Sequence, residues 1–289
     1  MFSTLHAARG LRQSQRSLRQ PVLFLTASAA LLLVIGQYTD IDLWLADIYF
    51  DPAKGLFPWD QTWFGRTFMH IWVKNILVWS GFLLVVAAVL DLVRPLPRLG
   101  ELGRARLRLL ALAATVAPWL VRSLKARSAM HCPWGIDRYD GSHPFLRLLD
   151  AMPAGWQAGH CFPAGHASAG MWLAALAVLW LPHSPRKALL AYAGGAGVGM
   201  LLGWVQQMRG QHFLTHTLWT AWLTTAVLVV LLALFSRHLL SSAPAAPALD
   251  ERAVCQHLAP AAQPVATPPL TGASGRPSDA QARIPSRTL

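Results

Sequence analysis

Three separated stretches of the chain carry side chains able to do chemistry: LKARSAMHCP (124–133), FPAGHASAG (162–170) and MRGQHFLTHT (208–217). In the last, His212 and His216 stand four residues apart, and on a helix that spacing puts both imidazoles on one face. In the second, His166 follows a PAG turn that opens a helix whose free N–H groups can face an anion. The first supplies Lys125 and Arg127, and Arg209 precedes the histidine pair. Lysine and arginine provide fixed positive charge suited to phosphate oxygens. One histidine can attack phosphorus while another protonates a leaving alkoxide. The set lacks the carboxylate cluster of a magnesium site, so it suits phosphoryl transfer without a metal or other cofactor. A metal-dependent hydrolase with His212 and His216 as ligands is the competing reading. Residue 213 is Phe, not the glutamate of an HExxH pattern, and a third ligand would have to come from His166 or His131.

The elements that must position these groups are membrane spans. Of 289 residues 54% are hydrophobic and only 13% charged, against about 25% charged in a soluble domain. Thirteen tryptophans suit membrane–water interfaces. Apolar runs near the ~20 residues needed to cross a bilayer predict six spans, at 21–38, 71–91, 107–123, 165–182, 188–206 and 213–236. The sequence therefore predicts an all-α integral membrane protein, a six-transmembrane-helix bundle. A short interfacial helix is expected in the acidic, aromatic loop after the first span. Three regions follow: a basic N-terminus (1–20), the membrane domain (21–238) and a disordered Ala/Pro-rich tail (239–289) that cannot bury a core.

The net charge of +12 falls in the N-terminal segment, in 94–108, in 183–187 and at Arg237. Six spans put all of these on one side, which the positive-inside rule makes cytoplasmic. The basic charge is thus topogenic, and nucleic acid is not an expected partner. Both termini are then cytoplasmic, and the three chemical stretches face the periplasm of a bacterial inner membrane. Oligomeric state is not legible. No cleavable signal peptide is evident, because the first apolar run lies inside the chain and is long enough to stay as an anchor.

FPAGHASAG resembles the PSGH block of the type 2 phosphatidic acid phosphatase superfamily, LK-x6-CP its K-x6-RP block, and GQHFLTH its SR-x5-H-x3-D block. Spacing and order agree over roughly residues 20–236. The resemblance implies a six-helix membrane bundle that removes phosphate from lipid phosphates or diphosphates without metal. It implies phosphate binding by Lys125, and by the backbone at Gly165 after the turn proline Pro163. It implies leaving-group protonation by His166 and a phosphohistidine on His212. Departures from the pattern are Cys132 and Gln206 in place of arginines, Ala164 in place of serine and His216 in place of aspartate. Arg209, three residues before His212 and on its face if the helix already begins there, is expected to replace the third-block arginine. Arg127 or Arg138 is expected to cover the first. His216 is expected to accept the Nδ1 proton of His212, with Asp137 or Asp140 as a further source of negative charge.

Cys132 and Cys161 fall beside the first two blocks on the outward face, where an oxidising compartment permits a disulfide; two packed free thiols are the alternative. Cys255 in the tail is expected to stay reduced. His131, His160 and His143 are loop histidines. Trp59, Trp63, Trp72 and Trp134 suit an interfacial belt, and Lys74 and Arg66 either reach a lipid phosphate or snorkel. The expected activity is a lipid phosphatase acting on a polyprenyl (undecaprenyl) diphosphate, a phosphatidyl phosphate or lipid A. Its alternatives are a phosphotransferase from a polyprenyl diphosphate to lipid A, and an inactive relative. A transporter is disfavoured because no charged residue sits mid-span.

Overall fold

The computed structural model describes residues 2–96 and 98–240, with the side chains of 2–18 and 240 left out; the expected tail and Cys255 lie outside the described residues. Among the described residues there is no sheet, only two isolated bridges, Asp51–Leu56 and Ile136–His143. Seven helices, besides short 3-10 turns, order the described residues. They are α1 (Phe2–Tyr38), α2 (Ile41–Asp47), α3 (Phe64–Val93), α4 (Glu101–Lys125), α5 (Gly165–Leu179), α6 (Pro185–Met208) and α7 (Leu214–Leu240). The basic N-terminal segment and the first span form one continuous helix with Pro21 inside it.

Among the described residues five helices are long and apolar enough to cross a membrane: Arg19–Tyr38 of α1, then α3, α4, α6 and α7. Their outer faces expose large apolar side chains such as Phe24, Leu31, Ile76, Trp79, Leu83, Leu190 and Leu234. Water does not tolerate so extensive an apolar surface, whereas lipid does. The chain is a membrane protein. The fourth expected span is different. It ends at Leu179 rather than 182, because Trp180 starts a turn leading through Pro182 to the Pro185 that opens α6. Gly165–Met171 is α-helical and Trp172–Leu179 is wound as a 3-10 helix. The steeper 3-10 rise brings the element to about 26 Å, short of the ~30 Å hydrocarbon core.

The second expected span begins earlier than its apolar run suggests. Phe64–Val73 is wound as a π-helix and continues into the α-helical Lys74–Val93. The wide turn carries His70 inward, and such π segments recur at functional sites.

Successive helices run up and down, so Tyr38, the start of α3, the end of α4, the starts of α5 and α7 and the end of α6 share one end of the bundle. At the opposite end, Leu109, Leu110 and Ala113 of α4 pack with Ala174, Ala175 and Val178 of α5 and Leu228 and Leu231 of α7. There Asp91 is buried and paired with Arg104 (3.3 Å) and Arg108 (2.9 Å), and Arg106 donates to the Leu181 carbonyl (2.7 Å). Part of the basic 94–108 segment therefore closes the α3–α4 corner and ties α4 to the α5–α6 turn. Along α6, Gly195, Gly199 and Gly203 let its backbone approach Leu173 and Met171 of α5 and Thr217 of α7, the small-residue contact that membrane helices favour.

Candidate active site

The three chemical stretches meet at the first-named end of the bundle. The first two are zipped by backbone bonds, Gly159 N–H to Ala129 O, His160 N–H to Ser128 O and Cys161 N–H to Met130 O, each 3.0 Å. A disulfide joins Cys132 to Cys161 with their Cα atoms 5.3 Å apart. The third is tied in by Trp134 N–H to Gly210 O (3.0 Å) and Ala164 N–H to His216 O (3.2 Å).

Local sequence explains the third stretch. Helix α6 ends in a Schellman turn: Gln211 N–H bonds Gln206 O (2.8 Å) and Gly210 N–H bonds Gln207 O (2.9 Å). The turn needs a left-handed residue, and Gly210 has φ +69°, with Phe57 packed where a side chain would stand. Helix α7 starts only at Leu214, and its free amides are met by Asp42 of α2, whose carboxylate accepts from Thr215 N–H (2.9 Å) and from the Thr215 hydroxyl. That remote carboxylate serves as an N-terminal cap. Burial pushes the Asp42 carboxyl up, and its Thr215 donors and Arg147 partly offset this.

His212 therefore lies in the linker between two helices, not on one. Two expectations that assumed a helix there are corrected. Arg209 does not share a helical face with His212, because Gly210 turns the chain between them. His216 does not accept the His212 Nδ1 proton. Its ring lies T-shaped to His212 at 5.8 Å and packs edge-on against Phe162 and Phe213, each at 5.4 Å. Both His216 ring nitrogens are buried with no hydrogen-bond partner. Instead, His212 Nδ1 lies 3.5 Å from the Cys161 sulfur, which is disulfide-bonded and has no hydrogen to donate. His212 is 2% exposed, and burial first, then the nearby Lys125, hold its imidazole well below the ordinary histidine range.

Lys125 closes α4, and its charge bears on His212 and on His166, the second residue of α5. Lys125 and Gly165 line one cavity of about 430 Å³. His166 stacks on His70 of α3 with ring centroids 4.2 Å apart. Behind His70 runs a polar chain that the sequence did not reveal. Gln206 Nε2 meets His70 Nδ1 (3.2 Å), Arg209 Nη1 donates to Gln206 Oε1 (3.0 Å), and Arg209 Nε and Nη2 both reach Asp60 Oδ1 (3.0 and 2.7 Å). Gln206, at the position of the family arginine, thus links Arg209 to the histidine stack. Asp60 and His70 lie outside all three blocks, and their one sequence signal is that they are polar residues flanking an aromatic span.

The other expected groups are elsewhere. Arg127 is exposed and folds back to Ser123 O (3.0 Å). Arg138 forms a two-point pair with Asp47 (2.9 and 2.8 Å), which holds that carboxyl below the usual range. Asp137 accepts from the Arg138 amide (2.8 Å), and Asp140 lies beside Gly55. His131 stacks on His143 at 4.0 Å and bonds Gln157 O at 3.0 Å. A metal-ligand grouping also exists on paper. Atoms of Cys132, Cys161 and His212 lie within 4.8 Å of one another, but sulfurs bonded to each other are not the thiolates a metal binds.

An all-helical membrane bundle with lysine and histidines gathered at one end defines the class of protein. Residues 106–239, which include all three blocks and run from α4 to α7, match the family model described as PAP2 superfamily. That match supports a phosphatase- or phosphotransferase-type function. No curated protein and no solved structure matches the chain.

Proposed function

We propose that the protein is a lipid phosphatase working through a phosphohistidine, with its active site facing the periplasm of a bacterial inner membrane. The observation that carries this reading is the meeting of Lys125, His166 and His212 from three separate segments, with Lys125 and Gly165 on the wall of one cavity.

In this reading Lys125 and the α5 N-terminal amides receive the phosphoryl oxygens. With Nδ1–H turned to the disulfide sulfur, a weak acceptor, His212 keeps the Nε2 lone pair for attack. Nε2 bonds to phosphorus as the ester P–O bond breaks, and His166 gives its proton to the departing oxygen. The negative charge of the bound phosphate favours the protonated form of His166 before this step. His166 then takes a proton from water, the water oxygen attacks phosphorus, the N–P bond breaks and inorganic phosphate leaves. Arg209 acts as a positioning residue: its charge is matched by Asp60, and it reaches the stack through Gln206 and His70. His216 shapes the wall beneath His212.

The test is phosphate release from phosphatidate, a prenyl phosphate and lipid A presented in detergent micelles. Wild-type protein is expected to release phosphate in excess chelator, and His212→Ala to lose at least about 10³-fold in kcat. Unchanged turnover by His212→Ala would refute the nucleophile. Loss of activity in chelator would favour the metal-dependent reading, and label passing to an added acceptor lipid would mark a transferase sharing the same first step.

A further inference from the structure

Four cations at the site end of the bundle are neutralised. Arg138 pairs with Asp47, Arg147 with Asp40, Arg209 with Asp60 and Lys54 with Asp51. Lys74, Arg122 and Lys125 are different. Among the described residues none of their side chains makes an ion pair or hydrogen bond, and all three line the cavity of about 430 Å³, which has no carboxylate in its wall.

The cavity is a groove bounded by α3, α4 and α5, and on each helix it changes character with depth. On α3, Lys74 is followed inward by Leu77, Val78 and Gly81; on α4, Arg122 and Lys125 are followed by Pro118 and Ala114; on α5, Gly165 is followed by Ser168, Ala169 and Trp172. From Lys125 to Ala114 the groove descends about 16 Å at the helical rise. Two backbone features keep it open. Pro118 has no N–H to return to the Ala114 carbonyl, and Gly81 leaves a gap that a side chain would close against Ala114 and Trp172. Cationic at the mouth and apolar below, the groove is complementary to an anionic head with a hydrocarbon chain.

Transfer of one phosphoryl group occupies Lys125, His166 and His212. Lys74 and Arg122 remain, and unmatched cations at the depth of a span are costly unless a ligand balances them. We propose that this groove selects a lipid diphosphate over a lipid monophosphate, with Lys74 and Arg122 holding the phosphate bonded to the lipid and the terminal phosphate presented to His212. The inference rests on the phosphatase reading above. His212 Nε2 then bonds to the terminal phosphorus, the bridging P–O bond breaks, and the electron pair leaves with the lipid monophosphate. Water completes the turnover by breaking the N–P bond, so one inorganic phosphate and one lipid monophosphate form per diphosphate and water consumed.

The experiment compares farnesyl diphosphate with farnesyl monophosphate, the same chain with one phosphate fewer, on the full-length protein in detergent. Wild type is expected to show kcat/KM at least about tenfold higher for the diphosphate. Lys74→Gln combined with Arg122→Gln is expected to reduce that ratio about tenfold, chiefly through a higher KM for the diphosphate, and Lys74→Arg alone to retain it. Because the two side chains make no bonds within the protein, their replacement leaves the fold intact. Equal wild-type efficiency on both lipids, or equal losses on both in the double variant, would overturn the diphosphate assignment while leaving the phosphatase intact. Release of phosphate from neither lipid nor from phosphatidate, or undiminished release by His212→Ala, would instead overturn the underlying reading.

Discussion

His212 and His216 have the same side chain four residues apart, yet the structure gives them opposite surroundings. His212 sits in a turn with Nδ1 on a sulfur and Lys125 nearby. His216 sits inside α7 with two orphaned nitrogens between phenylalanines. Replacing His216 by alanine should therefore lower thermal stability by about 2–4 kcal/mol through a cavity but reduce kcat by less than about tenfold. Thermal unfolding and phosphate release measured on the same detergent preparation check both parts, and a collapse of kcat comparable to that of His212→Ala would restore an orienting role. His212 also carries a pH prediction. Its histidine pKa is lowered, so the neutral nucleophile persists as pH falls and is lost only through that lowered value. The acidic limb of kcat/KM should lie below the ordinary histidine midpoint of about 6.5, and a limb at or above that pH would contradict the buried, neutral imidazole. The two spacing arguments that misled, Arg209 with His212 and His212 with His216, both assumed unbroken helix; Gly210, one glycine with φ +69°, decided otherwise.

The elements around the site divide into those that apolar runs announce and those they do not. Spans α1, α4, α6 and α7 contain their expected runs, and the blocks fall at their ends, so Lys125, His166 and His212 could be read as neighbours before any coordinates. The π-wound start of α3 could not. Its residues read as an aromatic loop running into a span, and only the wide turn shows why His70 faces His166 (4.2 Å) and Lys74 faces the groove. The remote cap of α7 by Asp42 was equally hidden, because the two partners are 173 residues apart. Between the spans, the Cys132–Cys161 bond, 29 residues apart in sequence, clamps the loop beside His212. Closing a loop of that length stabilises by about 3–4 kcal/mol in the chain-entropy account. Cys132→Ser combined with Cys161→Ser, or full reduction of wild type, should lower the unfolding temperature and depress kcat/KM by releasing the His212 ring. Full activity in the double variant would show that the clamp does not position the nucleophile.

At the scale of the whole molecule the charge pattern and the site tell one story. Paired cations bind loops and corners, as Arg138 does to Asp47 and Arg104 and Arg108 do to Asp91, while Lys74, Arg122 and Lys125, which make no ion pair, line one groove that opens between spans. The bundle is thus polarised, with apolar packing at one end and a cluster of lysine and histidines at the other. The family match over residues 106–239 covers that cluster except for the contribution of α3. At the two positions where the family pattern has arginines, this chain carries Cys132, joined to Cys161, and Gln206, in contact with His70.

The central claim, covalent catalysis by His212, is tested most directly by trapping the intermediate. Wild-type protein mixed with a phosphate-labelled lipid and quenched in alkaline denaturant should carry label that survives base and is released by acid, the behaviour of a phosphoramidate, and peptide mapping should locate it on His212. His212→Ala should carry none. Phosphate release by wild type with no such label at any quench time, or label mapped to another residue, would contradict the account.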